Sequence, residues 1–336
     1  MSLPKTYKAA VINSPGGNFE IVEKNLEQPT TGTVLVKVIA CGVCASDGMV
    51  KYGMTQLPRV AGHEIIGDIV VVPSGESKWK VGDRVGSGWH GGHCSTCSSC
   101  SEGDFITCSK HAINGITQDG GYAEYVILRR EALVPISKDL DPAETAPLLC
   151  AGVTTFNSLR NVQGLNKGDL VAVSGLGGLG HLGIQYAKQM GFKVVALSQS
   201  DAKKDLATKL GADIYLDASK VNQVEELLKL GGAKCILATA PNGEAITTLL
   251  GGLKVGGTML TVAVADVKFN TGVLIGRRTT IKGWPSGHAQ DSADAIAFAE
   301  KTNVKVMIEK FSLADVNTAW SKMQAGKTNF RAVLVL

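Results

Sequence analysis

Four cysteines fall within fifteen residues, spaced Cys94-x2-Cys97-x2-Cys100-x7-Cys108. Thiolates this close on a loop rich in glycine and serine can converge on one soft cation, and four of them complete the closed tetrahedral shell of a structural zinc site. An iron–sulfur cluster also uses closely spaced cysteines, but the ferredoxin run has three residues before its fourth Cys and a proline after it. Here the last gap is seven residues and Ser109 follows Cys108, so zinc is the expected ion. A second, dispersed set comprises Cys44 in Cys41-Gly-Val-Cys44-Ala-Ser46-Asp47, His63 in Gly62-His63-Glu64, and Cys150 in Leu149-Cys150-Ala151. Each of these alone also reads as a core residue. Together, two thiolates and an imidazole leave a fourth position open, the arrangement of a catalytic zinc.

A third constellation is Gly175-Leu-Gly177-Gly178-Leu179-Gly180, between the apolar run Leu170–Ser174 and the helical stretch Leu182–Met190. In a strand–GxGxxG–helix unit the first glycine allows a tight turn, the second admits a pyrophosphate, and the third lets helix and strand approach closely. The phosphate then rests on free N–H groups at the helix start. The loop Gly175, Gly177, Gly178, Leu179, Gly180 is therefore the expected dinucleotide cradle. An NAD site normally carries Asp or Glu at the end of the next strand. This chain has Ser198-Gln199-Ser200 there, followed by Lys203 and Lys204. Hydroxyls and an ammonium suit a 2′-phosphate, so NADP(H) is preferred, held by Ser198, Ser200 and Lys203, with NAD(H) possible. The alternative is a helix-capping Ser198 beside a solvated lysine face.

These groups need a scaffold. Up to residue 150 the chain reads as an irregular β domain, with strands at Tyr7–Ile12, Val34–Ile39, Ile65–Val72 and Tyr122–Leu128 between Gly, Pro and Asp turns. From Leu170 apolar strands alternate with helical stretches, the pattern of a doubly wound parallel sheet. The tail holds amphipathic helices at Ala293–Lys301 and Leu313–Gln324 and a closing strand at Ala332–Leu336. The fold class is α/β, with residues 1–150 completed by 286–336 and a dinucleotide-binding domain at 151–285. At 336 residues, two domains bury enough surface to need no disulfide. The balance of 34 basic to 30 acidic residues, without a basic block, gives no footprint for nucleic acid. No apolar run reaches membrane-spanning length, and Met1–Ala10 lacks the pattern of a secretory leader. A cytoplasmic protein with reduced thiols is the expectation.

The segments CGVCASD, AGHEIIGDI, VGDRV, the four-cysteine lobe, DGGYAEY, LLCAG and GLGGLG occur in this order along the whole chain. In this the chain resembles the zinc-containing alcohol dehydrogenases of the medium-chain dehydrogenase/reductase superfamily, which join a GroES-like catalytic domain to a Rossmann domain. The resemblance implies a catalytic zinc held by Cys44, His63 and Cys150, with Glu64 as a transient or alternative fourth ligand. It also implies that Asp47 accepts the second N–H of His63 and that Ser46 relays a proton between the substrate oxygen and the nicotinamide ribose. Trp89, Leu57 and Tyr52, with Val264, would line the substrate cleft, and Arg331 would contact the pyrophosphate. Many members carry histidine five residues after the first ligand, where this chain has Met49. Two zinc ions per chain, a small alcohol, aldehyde or ketone substrate bound between the domains, and a homodimer or homotetramer complete the expectation. The rivals are a polyol or amino-alcohol dehydrogenase, a zinc-free quinone or enoyl reductase, and a non-catalytic dinucleotide-binding relative. His90, His93, His111, His181 and His288 have no ligand pattern of their own.

Overall fold

The structure is a computed structural model that describes residues 3–336. Its contacts form two compact units, one of residues up to Val153 with Ser286–Ala297 and Val306–Leu336, the other of Thr154–Pro285 with Phe298–Lys305.

The first unit is organised on the strand Thr33–Val43, a run of mostly apolar and β-branched residues that is buried over most of its length. Along one edge lies Ile65–Val71, antiparallel, with Cys41 opposite Ile65. The other edge has two partners: Tyr125–Arg129 covers Thr33–Lys37, and Arg331–Val335 covers Ala40–Val43. The sheet extends outward through Arg84–Ser87 and Val134–Pro135 on one side and through Ile308–Ser312 on the other. A separate three-stranded sheet runs Glu20–Asn25, Thr6–Ile12, Arg59–Val60, and its Ala9, Ala10 and Ile12 join Val36, Val38, Ile65 and Trp320 in one core. A short ribbon of His90–Gly92 against Ala112–Ile113 carries the four-cysteine excursion between its two strands.

The second unit is a six-stranded parallel sheet in the spatial order Ile214–Asp217, Lys193–Ser198, Leu170–Ser174, Ala233–Ala238, Leu253–Thr261, Thr280–Gly283. This is the doubly wound order whose switch point lies between the first and fourth strands, where ligands bind at the carboxyl ends. Strands such as Leu170–Ser174 are buried on both faces, as parallel strands covered by helices must be.

Three expectations need correction. The C-terminal segment 286–336 does not belong wholly to the first unit, because 298–305 packs into the second. There the Gln185 side chain accepts from the Lys305 N–H and donates to its carbonyl, both at 2.8 Å, and Phe298 packs at a tilt against Phe156 and Tyr186. The strand expected from Tyr122 starts at Tyr125, which leaves Tyr122 in the approach loop. The expected strand list is also incomplete: it lacks, among others, Glu20–Asn25, Arg84–Ser87, Thr280–Gly283 and Ile308–Ser312, the last two half-exposed.

Candidate active site

In the excursion, Cys97 caps the short helix Ser98–Ser101 that contains Cys100, so one helical turn brings both thiols to the same side. Ser95 lies in the left-handed region at φ 59° and turns the chain back toward Cys108. The four sulfurs lie within 4.8 Å of one another, with Cys94 and Cys97 at 3.5 and 3.8 Å from Cys108. Tetrahedral zinc with bonds of about 2.3 Å would separate its sulfurs by roughly 3.8 Å, so the set fits the ion. Backbone N–H groups of Cys94 and Lys110 point at the Cys108 sulfur, each at 3.4 Å. The Thr96 hydroxyl and amide lower the Cys94 thiol to about 5 and the Cys100 amide lowers Cys97, whereas burial pushes the Cys100 thiol up to about 11.

The second cluster is assembled by strand register. Cys44 follows the strand Thr33–Val43. The Gly42 N–H donates to the Glu64 carbonyl at 3.0 Å, which sets His63-Glu64 beside Gly42. Val43 lies opposite Ala332, which sets Arg331 beside Cys44. Cys150 arrives on the 3-10 turn Ala146–Leu149, whose end can approach because Gly88 has no side chain; a Cβ there would lie 2.3 Å from the Leu149 carbonyl oxygen. One ligand atom each from Cys44, His63, Glu64 and Cys150 falls within 4.8 Å of the others, and the two sulfurs are 3.9 Å apart. Both His63 Nε2 and Glu64 Oε2 are buried with no hydrogen-bond partner. Orphaned polar atoms at the meeting point of two thiols are a costly arrangement unless a cation satisfies them, so this set also fits zinc. The contact between the Cys44 and Cys150 sulfurs holds Cys44 well below and Cys150 well above the usual thiol range. Burial works against charge on His63, but the Asp47 carboxylate and Cys44 outweigh it and keep the imidazole well above its ordinary value. Asp47 Oδ1 lies 3.0 Å from His63 Nδ1, which leaves Nε2 to face the cluster.

In the second unit the loop Gly175–Gly180 assigns each glycine a different constraint. Gly175 has φ +94°, and a Cβ on it would lie 2.9 Å from that of Ala240. A Cβ on Gly180 would lie 1.8 Å from the Gly175 carbonyl oxygen, whereas one on Gly177 would meet nothing within 4 Å. Thus the turn and the helix–strand contact fill two positions, and the middle one opens outward. The helix Gly180–Gln189 begins there with Leu179 as its cap, beside Gly178. Thr239 fastens the loop, its hydroxyl donating to the carbonyls of Ser174 and Gly175 at 3.0 and 2.9 Å. At the carboxyl ends of neighbouring strands, Gln199, Ala218, Asn222 and Asn242 line a hollow of about 280 Å³. The strand Lys193–Ser198 ends at its rim, Ser200 is exposed, and Lys203 Nζ donates to the Leu176 carbonyl at 2.7 Å.

Comparison with known proteins identifies the family. Residues 30–138 match the alcohol dehydrogenase GroES-like domain, and residues 178–301 match the zinc-binding dehydrogenase family. The chain is 47% identical to an alcohol dehydrogenase of Penicillium expansum over 99% of its own length and 98% of that protein. It belongs to the zinc-type medium-chain dehydrogenases/reductases. A cinnamyl alcohol dehydrogenase of Sorghum bicolor superposes with a TM-score of 0.89 at 29% identity, covering 98% of both chains. The CAD of Helicobacter pylori complexed with NADP(H) does so at 0.87 and 26%, again covering 98% of both. As a zinc-type medium-chain dehydrogenase, the chain is an oxidoreductase with NAD(P)-dependent alcohol dehydrogenase activity.

Within this dehydrogenase the remaining candidate residues separate by position. Trp89 stands edge-on to His63 with ring centroids 5.0 Å apart. Ser46 is partly exposed two residues after Cys44, and Met49 and Leu57 are half-buried against the core of the first unit. Tyr52 is 54% exposed and Val264, in the second unit, 96% exposed, so neither is held as a wall by its own unit. Arg331 is buried and donates to Glu64 Oε1. Burial pushes the Glu64 carboxyl up to about 7 against the pull of that guanidinium. Removing the arginine strands a buried acid: Arg331→Met should cost about 3–5 kcal/mol in urea unfolding, and adding Glu64→Gln should restore most of it. A single variant as stable as the parent would show that the pair carries no stability.

Sequence reasoning missed Gly42, Thr239 and Tyr122. A Cβ on Gly42 would lie 1.7 Å from Glu64 Oε2, so the glycine makes the space the carboxylate occupies. The unassigned histidines serve locally. His90, His93 and His288 group with Phe105, His111 Nδ1 lies 3.0 Å from the Cys108 carbonyl, and His181 Nδ1 lies 3.2 Å from that of Gly177.

Proposed function

We propose that the enzyme interconverts a small alcohol with its aldehyde or ketone, with NADP(H) as preferred carrier and NAD(H) usable, and binds two zinc ions per chain. The observation that carries this reading is the convergence of Cys44, His63, Glu64 and Cys150 around the unpartnered His63 Nε2. Cys44, His63 and Cys150 would hold the catalytic ion, with Glu64 as alternative ligand, and Cys94, Cys97, Cys100 and Cys108 the structural one. Bound in the first site, zinc would supply a Lewis acid toward an alcohol or carbonyl oxygen, the chemistry that makes hydride transfer to or from a nicotinamide accessible. Asp47 orients the imidazole, and the Ser46 hydroxyl passes the proton of the substrate oxygen outward. With Met49 where many relatives have histidine, that path ends on the cofactor ribose or on water. Trp89 narrows the pocket, to which Leu57 contributes, and Arg331 holds Glu64.

At the adenosine end, Ser198, Ser200 and Lys203 take the 2′-phosphate. Lys203 is already tied to the dinucleotide loop through Leu176, within the segment such a phosphate would reach. Initial rates with NADPH and NADH on graded aliphatic and aromatic aldehydes and ketones, beside a metal count, test the reading. Lys203→Ala should raise the KM for NADPH about tenfold and that for NADH little, since a charge-assisted hydrogen bond contributes about 1.5–3 kcal/mol. An unchanged ratio of the two would remove Lys203 from the site. The enzyme acts in the cytoplasm as a homodimer or homotetramer; its eight free cysteines suit a reducing compartment, and Val264 and Ile275 expose apolar surface on the segment leading to the edge strand Thr280–Gly283.

A further inference from the structure

The segment DGGYAEY has no role in the reading above, yet its Tyr122 is wholly buried and its hydroxyl donates to Asp47 Oδ2 at 2.6 Å. Asp47, also wholly buried, collects three further contacts. The Gly62 N–H donates to Oδ1 at 3.2 Å and His63 Nδ1 lies 3.0 Å from the same oxygen, while the Cys44 N–H donates to Oδ2 at 3.0 Å. An ionised carboxylate offers about four acceptor positions, so this one is filled. Two donors are backbone groups that no substitution removes, and a third is the imidazole itself. Tyr122 is the remaining side chain, and its bond has the length of a charge-assisted O–H···O⁻ contact.

The tyrosine is itself clamped. Its N–H donates to the Ala61 carbonyl at 3.0 Å and its carbonyl accepts from the Ala10 N–H at 2.8 Å. The ring meets Phe19 edge-on at 5.7 Å and lies so close to Gly62 that a Cβ there would be 2.5 Å from Tyr122 Cδ1. A hydroxyl delivered this rigidly fixes the plane of the carboxylate, and thereby the orientation of the His63 ring. It also draws negative charge toward Oδ2 and away from the oxygen that faces the imidazole.

We propose that Tyr122 is a positioning residue for the metal centre, its hydroxyl locking Asp47 so that His63 Nε2 is held on line for the ion. The inference rests on the reading of Cys44, His63 and Cys150 as zinc ligands. Outer groups of this kind typically change metal affinity or activity by about 10–100-fold. The test is Tyr122→Phe, which keeps the ring and its packing. Zinc release from the wild-type enzyme into excess colorimetric chelator should resolve into two phases, one per site. In Tyr122→Phe the phase assigned to the catalytic site should run about tenfold faster with the other unchanged, and the visible bands of the Co²⁺-substituted catalytic site should shift. Tyr186→Phe, which removes a buried hydroxyl from the second unit, should alter neither phase. Superimposable release curves and Co²⁺ spectra for wild type and Tyr122→Phe, with two zinc ions in each, would overturn the role of Tyr122 alone. A wild-type enzyme holding zinc only in the four-cysteine lobe would overturn the metal reading and this inference with it.

Discussion

Exchange of His63 for alanine should lower kcat/KM by about 10³-fold or more and reduce the zinc content from two ions to one, while the chain stays folded. A Lewis acid contributes several kcal/mol to a transition state that gathers charge on oxygen, and each 1.4 kcal/mol or so is a factor of ten. His63 sits at the end of a sheet whose core is formed by other residues, among them Val36, Val38, Ile65 and Tyr122. The lobe should behave in the opposite way. Its ribbon pairs only His90–Gly92 with Ala112–Ile113, so the excursion between them would depend on the proposed structural ion for its shape. Cys97→Ser should therefore lower stability by about 3 kcal/mol, on the order of 5–10 °C in Tm, with a smaller effect on turnover measured below that transition. Equal losses of activity and of Tm in both variants would contradict the division of labour between the two ions.

The glycine loop supplies the second large effect. Gly180→Ala pushes a methyl group to 1.8 Å from the Gly175 carbonyl oxygen, so the loop must open. Overpacking of this kind costs about 1–3 kcal/mol, and the displaced N–H groups should weaken dinucleotide binding by about 10²-fold. Gly177→Ala meets nothing in the protein within 4 Å and should leave urea unfolding unchanged. Dinucleotide affinity should still fall by about tenfold or more, because the methyl group occupies the approach of the pyrophosphate. Calorimetric titration alongside urea unfolding separates the two; normal affinity in Gly177→Ala would mean that the pyrophosphate does not lie over this glycine.

What could be read beforehand divides along the distance between partners in the chain. The lobe was legible because its four ligands share one loop and their spacing reports their geometry. The parallel strands were legible as apolar runs such as Leu170–Ser174, since a strand covered on both faces has no polar side. Cys44, His63 and Cys150 were individually ambiguous and became informative only as a set, to which the family resemblance then gave ligand roles. Gly42 and Tyr122 lie inside the segments CGVCASD and DGGYAEY, but their roles were not legible there, because they come from register across strands and from a contact spanning 75 positions. The strands Thr280–Gly283 and Ile308–Ser312 escaped because they are short, carry lysine or glutamate, and are only half-covered. The excursion of 298–305 into the second unit was hidden for the same reason as Tyr122, since Gln185 and Lys305 lie 120 positions apart.

The pairing of the last strand with the strand before Cys44 has a consequence for how the chain comes to be folded. Arg331–Val335 pairs with Ala40–Val43, so the strand that ends at Val43 waits for a neighbour made roughly 290 residues later. At synthesis rates of about 5–20 residues per second that interval is roughly 15–60 s. Throughout it, Cys44, His63 and Glu64 are on a nascent chain without Arg331. The parallel sheet, drawn from one stretch between Leu170 and Gly283, has all its strands earlier. The half of the enzyme that starts first is thus the last to close, and Cys44, His63, Glu64 and Arg331 come together only after every strand of the parallel sheet has been made.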